Sequence, residues 1–160
     1  MIFRDGKGYD VQKTSGAHCV NGGVCGLSRV LWRGHILPDA TTGGSEPERS
    51  VIFEYTSGAG EEGFPDAINC TATYTLRHLS SGGAALIVSL EARANATTPV
   101  SLTSNVLWNL NGVRSRNRVH NHRLLVDADH FVETGDDPLV PTGRLVPVAN
   151  TNLDFRYVVC

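Results

Sequence analysis

The sequence predicts an all-β chain of antiparallel strands, and three observations carry that prediction. Residues 68–76 alternate, with Ile68, Cys70, Ala72, Tyr74 and Leu76 on one face and Asn69, Thr71, Thr73 and Thr75 on the other. A period of two over that length marks a strand with one face buried. The polar turn at residues 80–83 (SSGG) leads into a second apolar-rich run, AALIVSLEA at 84–92, so the two runs pair as a hairpin. Near the start of the chain, Asp5-Gly6 sits between Phe3 and Tyr9 within residues 2–11, the turn chemistry of a hairpin with short strands.

The remaining elements follow in order. Residues 17–32 (AHCVNGGVCGLSRVLW) carry the pair Gly22-Gly23, suited to a close backbone approach or a turn with positive φ. Residues 34–50, rich in Gly, Pro, Ser and charge, read as a loop, and 51–55 alternate as a strand. Residues 57–65 (SGAGEEGFP) read as a structured turn. In residues 97–112 (TTPVSLTSNVLWNLNG) the alternation predicts strand pieces at 99–102 and 105–110 with a polar break at Thr103 and Ser104, where polar groups can face a ligand.

Composition narrows the class. With 160 residues, 41% hydrophobic and 19% charged, the chain suits one globular domain over 1–160. A net charge of −2 and a pI near 6.3 leave no electrostatic footprint for nucleic acid or an anionic membrane. The basic cluster Arg114, Arg116 and Arg118 reads as a solvated loop, because no aromatic stacking platform accompanies it. No stretch is apolar enough to span a bilayer. Four cysteines, Cys19, Cys25, Cys70 and Cys160, without an apolar signal segment after Met1, point to a reduced, cytoplasmic chain. In that setting the sequons at Asn69 and Asn95 are chance matches.

Several residue groups invite a chemical reading. Glu61-Glu62 is a candidate carboxylate pair, but neighbours in an extended segment point to opposite sides and do not flank one bond. His18, Cys19 and Cys25 lack the fourth ligand and spacing of a zinc site, so they are loop residues. His120 and His122 share a strand face without a carboxylate partner, and Asp127 and Asp129 share a face as strand-end or turn residues. Cys70 belongs to the core. No cofactor is expected.

Residues 97–112 closely resemble a segment of the aldose 1-epimerases (galactose mutarotases), T-P-V-N-L-T-N-H-S-Y-F-N-L-x-G, through Thr98, Pro99, Val100, Leu102, Thr103, Asn109, Leu110 and Gly112. Residues 2–11 resemble that family's F-x-x-D-G-x-x-Y, and residues 17–32 its N-x-L-H-G-G-x-x-G-F-x-x-x-x-W through Gly22, Gly23, Gly26 and Trp32. SGAGEEGFP is similar to S-P-D-G-E-E-G-F-P. Residues 121–155 resemble the family's later segment through His122, Leu124, Ala128, Asp129, Pro141, Thr142, Gly143, Pro147, Val148, Asp154 and Phe155.

The resemblance implies part of a galactose mutarotase-like antiparallel β-sandwich, incomplete at both ends relative to the family. In the family a sugar-touching Asn-Arg pair lies ahead of the segment matched by residues 2–11, and a sugar-binding Asp and a general-base Glu lie after the segment matched by residues 121–155; the resemblance gives none of them a counterpart within residues 1–160. The family's proton-donor His falls on Asn105, and its second catalytic-site His falls on Asn21. No catalytic residue is therefore intact, and the expected sugar-binding residues are Asn21, Asn105, Val106 and Leu107. Mutarotation needs an acid for the ring oxygen and a base for the anomeric hydroxyl; an Asn amide has no proton to transfer near neutral pH but forms hydrogen bonds. The implied function is an aldose 1-epimerase-like protein of hexose metabolism, weak or inactive, acting on galactose or glucose. The alternatives are a non-catalytic carbohydrate-binding protein and a fragment without function of its own. Unpaired strand edges in a partial sandwich imply self-association.

Overall fold

A computed structural model describes residues 1–38, 48–112, 114 and 121–157. It forms two compact units, Met1–Asn105 and Val106–Cys160. Among the described residues, the regular structure is antiparallel strand apart from one 3-10 turn, Glu61–Gly63, in keeping with the all-β expectation.

The first unit opens with a hairpin of β1 (Ile2–Arg4) and β2 (Lys7–Tyr9), in which Ile2 faces Tyr9 and Arg4 faces Lys7. Asp5 at φ 51° and Gly6 at φ 75° make the two-residue turn, whose left-handed backbone matches the twist of the flanking strands. The main sheet follows in the order β3 (Arg33–Ile36), β4 (Glu48–Ser57), β5 (Ile68–His78) and β6 (Ala84–Ala94). Each strand pairs with its sequence neighbour.

Register explains which face is buried. Cys70 lies opposite Tyr55 and Ala92, Ala72 opposite Phe53 and Leu90, and Tyr74 opposite Val51 and Val88. These side chains share the apolar face predicted from the alternation, and Cys70 (1% exposed) and Ala72 (7%) form its centre. Phe53 and Tyr74 meet edge to face with centroids 6.1 Å apart, a geometry favoured by the ring quadrupoles. On the opposite face, Ser50 and Thr75 hydroxyls lie 2.7 Å apart, and Thr56 donates to Asn69 at 2.8 Å. Glu48 and Arg77, directly opposite in register, form an ion pair.

Those polar cross-strand pairs carry β4 beyond the predicted 51–55 at both ends. The predicted loop at 34–50 is likewise corrected: Gly34 to Ile36 belong to β3, and β4 begins at Glu48, while 39–47 lie outside the described residues. Gly34 suits that pairing because a Cβ there would press against the Phe53 ring. The strand pieces predicted at 99–102 and 105–110 are not found; no residue of 97–109 joins a ladder. Alternation describes side chains, whereas a strand requires a backbone partner, and none of the described residues supplies one here.

In the second unit, β7 (His130–Thr134) pairs with β8 (Pro141–Pro147), with a register irregularity between Val132 and Thr134. Glu133 and Arg144 form an ion pair, and the guanidinium holds the Glu133 carboxyl below the usual carboxylate range. Val148, 3% exposed, donates its N–H to the Asp129 carbonyl at 2.9 Å. Asp129 lies in a bend immediately before β7 and Asp127 is outside any strand, in keeping with their reading as strand-end or turn residues. Arg156 joins Asp129 at 3.0 Å to Asp154 at 2.8 Å.

Candidate functional site

Three segments of the first unit build a hollow, and each is set by local chemistry. The loop after β2 reverses through Asn21, Gly22 and Gly23, at φ 57°, 79° and 115°. Glycine takes such angles without strain, and asparagine is among the few side chains that visit them routinely. A Cβ on buried Gly26 would overlap the Asn21 carbonyl, so the turn closes tightly on itself. Its far end is anchored where the Trp32 indole donates to the Leu27 carbonyl at 2.8 Å and its ring lies 5.7 Å from that of Tyr55.

The second segment is the 3-10 turn. Glu61 accepts from the Tyr55 hydroxyl at 2.8 Å and from the Gly58 N–H at 3.0 Å. Glu62 turns the other way and accepts from the Val24 and Cys25 N–H groups at 2.8 and 3.0 Å. The two carboxylates therefore diverge, as expected, but on a helical turn rather than an extended segment. Both hold chain segments together, which is not the arrangement of a pair flanking one glycosidic bond. The bond to Glu61 raises the Tyr55 pKa, with burial adding, and burial raises that of the Cys70 thiol, with Glu61 adding.

The third segment runs from Thr98 to Asn105. Arg4 ties it to the rest of the unit, donating to Asp66 at 2.8 Å, to the Thr97 carbonyl at 3.2 Å and to the Tyr9 hydroxyl at 3.2 Å.

Together the segments enclose about 660 Å³, lined by Cys19, Asn21 and Gly22 from the loop, Glu61, Glu62, Phe64 and Asp66 from the turn, and Thr98 to Thr103 with Asn105 from the third. Asn21 and Asn105, remote in sequence, thus line one concave surface. The wall mixes apolar groups with amides, hydroxyls and carboxylates, and its volume is that of an ordinary small-molecule site. Thr98 Oγ1, buried in it, has no hydrogen-bond partner among the described residues. Val106 and Leu107 belong to the other unit and are exposed, Leu107 at 96%.

Other candidate groups resolve differently. Among the described residues no group of three His, Cys, Asp or Glu side chains is placed to hold a metal ion. His120 lies outside the described residues, as do Arg116 and Arg118. His122 is not on a strand, as had been expected; its Nε2 accepts the Leu110 N–H at 2.9 Å. Cys19, Cys25 and Cys70 are free thiols. Among the described residues no helix is long and apolar enough to cross a membrane. Sequence reasoning missed the part played by Glu62: the glycines around the Glu pair signalled a turn, but not which loop it would hold.

The aldose 1-epimerase family model matches residues 3–158, and the chain belongs to that family. It is 36% identical to galactose mutarotase of Sus scrofa and 35% identical to that of Homo sapiens, in each case over 97% of this chain and 40% of the relative. It is 28% identical to aldose 1-epimerase of Escherichia coli K12 over 95% of this chain and 39% of that protein. The chain spans about 40% of the length of these curated relatives.

Proposed function

We propose that the chain is an aldose 1-epimerase-like cytoplasmic protein of hexose metabolism that binds galactose or glucose in the hollow lined by Asn21 and Asn105, with weak or absent interconversion of the anomers. The observation carrying this reading is that these two residues, from distant parts of the sequence, line a single cavity. Their amides can donate to and accept from sugar hydroxyls. Neither amide transfers a proton at neutral pH, and loss of a general acid costs about a hundredfold or more. The nearby carboxylates do not take its place freely: Glu61, Glu62 and Asp66 are each engaged by other groups of the unit.

The same surface supports a second reading, a binding protein without any epimerase activity, and one experiment separates the two. D-galactose and D-glucose are titrated into the ¹⁵N-labelled chain by NMR, and the optical rotation of a fresh α-anomer solution is followed with the same sample. Resonance shifts at Asn21 and Asn105 with slow, protein-dependent interconversion support the epimerase-like reading; shifts at the buffer rate support pure binding. Absence of sugar-dependent shifts overturns both. Rapid interconversion abolished by Asn105→Ala overturns the loss of the acid.

A further inference from the structure

We infer that Glu62 is a positioning residue for the sugar hollow: its carboxylate fixes the turn that presents Asn21, and thereby sets sugar affinity through that turn. The inference rests on the reading of the hollow as a hexose site. Oε2 accepts from the Val24 N–H at 2.8 Å and Oε1 from the Cys25 N–H at 3.0 Å. These are successive amides immediately beyond the left-handed run of Asn21, Gly22 and Gly23. A carboxylate on two such donors makes charge-assisted bonds, roughly twice as strong as neutral ones.

Glu62 occupies an unfavourable backbone position to do this. Its φ of 51° lies in the left-handed region, where a side chain other than glycine or asparagine carries a steric cost. Gly60 and Gly63 beside it, at φ 86° and 84°, complete the reversal, and the Glu62 carbonyl accepts the Gln12 N–H at 2.9 Å. The residue is thus held by its backbone on one segment while its side chain grips another. Space is reserved for that grip, since a Cβ on Gly23 would overlap the carboxylate.

With the amides of residues 24 and 25 held, and Gly26 packed against the Asn21 carbonyl, both ends of the turn are constrained around Asn21. Removing the carboxylate leaves two amide donors without their acceptor and lets the turn relax away from the arrangement that places Asn21 on the hollow. Sugar binding then carries the cost of restoring it, as any loss of preorganisation does.

The test uses the full ¹⁵N-labelled chain as wild type, Glu62→Ala and Glu62→Gln, titrated with D-galactose. In Glu62→Ala the Val24 and Cys25 amide protons move upfield and galactose binds about tenfold more weakly, while the β5–β6 ladder resonances stay in place. In Glu62→Gln the side-chain oxygen keeps one acceptor, so one of the two amide protons moves and affinity is intermediate. Displaced amides with unchanged galactose affinity in Glu62→Ala overturn the inference and leave the hexose reading standing. No galactose binding by the wild type overturns both. If Glu62→Ala does not fold, the same comparison is made with Glu62→Gln, where wild-type affinity overturns the inference.

Discussion

The Tyr55 hydroxyl donates to the Glu61 carboxylate at 2.8 Å, joining the end of β4 to the turn that walls the hollow. That bond favours the neutral phenol, and the Tyr55 pKa lies above the usual tyrosine value as a result. In a spectrophotometric titration, one tyrosine is expected to ionise above the ordinary range, and Glu61→Gln to bring it back toward that range. A Glu61→Gln titration that superimposes on wild type would show that the carboxylate does not govern it.

In the second unit, the hydrogen bonds from Arg156 lower the Asp154 pKa. A carboxyl whose folded pKa is depressed contributes stability above its unfolded value, about 3.9, and loses it as pH falls through the folded value. Stability against urea should therefore decline below about pH 4, and Asp154→Asn should flatten that decline. Equal pH slopes for wild type and variant count against the pair.

Cys70 is buried at the centre of the sheet, and its burial raises the thiol pKa, whereas Cys25 is exposed. A thiolate reagent is expected to label Cys25 in the native chain and Cys70 only after unfolding. Cys70→Ser, which introduces a buried hydroxyl, should cost about 1–3 kcal/mol. Peptide mapping after labelling reads the first expectation, and urea midpoints the second.

Gly23 combines φ 115° with a close approach to the Glu62 carboxylate. Gly23→Ala therefore strains the backbone and crowds the carboxylate at once, and should destabilise the first unit by about 2 kcal/mol. Calorimetric melting checks this, with Gly58→Ala as the control, since a Cβ on Gly58 meets nothing within 4 Å and its φ is not in the left-handed region. Similar melting of the two variants refutes the special requirement at position 23.

Among the described residues β6 pairs only with β5, leaving the other edge of an eleven-residue strand unpaired. Leu76 and Leu86, neighbours on the apolar face, are about half exposed. Concentration-dependent association is expected in sedimentation velocity, with reduction when Val88 is changed to Lys, because an edge-strand charge opposes pairing. A wild-type chain that sediments as a monomer at every concentration removes this expectation.

Much of the sheet was legible because its strands alternate. Cys70, Ala72 and Tyr74 announced the buried face, and Asp5-Gly6 announced the first turn. β3 was obscured by Gly34 and its charged neighbours, since its ladder comes from backbone groups that composition does not record. The run from Asn105 to Leu110 misled in the opposite direction, having strand-like side chains without a ladder partner among the described residues. Of the site, the meeting of Asn21 and Asn105 was legible through family resemblance, while the grip of Glu62 on residues 24 and 25 was not. It depends on a left-handed glutamate, which no local propensity favours.

Because β3, β4, β5 and β6 join in chain order, each ladder closes only the segment between adjacent strands. The entropy lost in closing a loop grows with its length, so this sheet has an accessible order of assembly, one hairpin added to the last. The sheet can begin to form during synthesis as soon as two neighbouring strands have left the ribosome, with the newest strand serving as the template for the next.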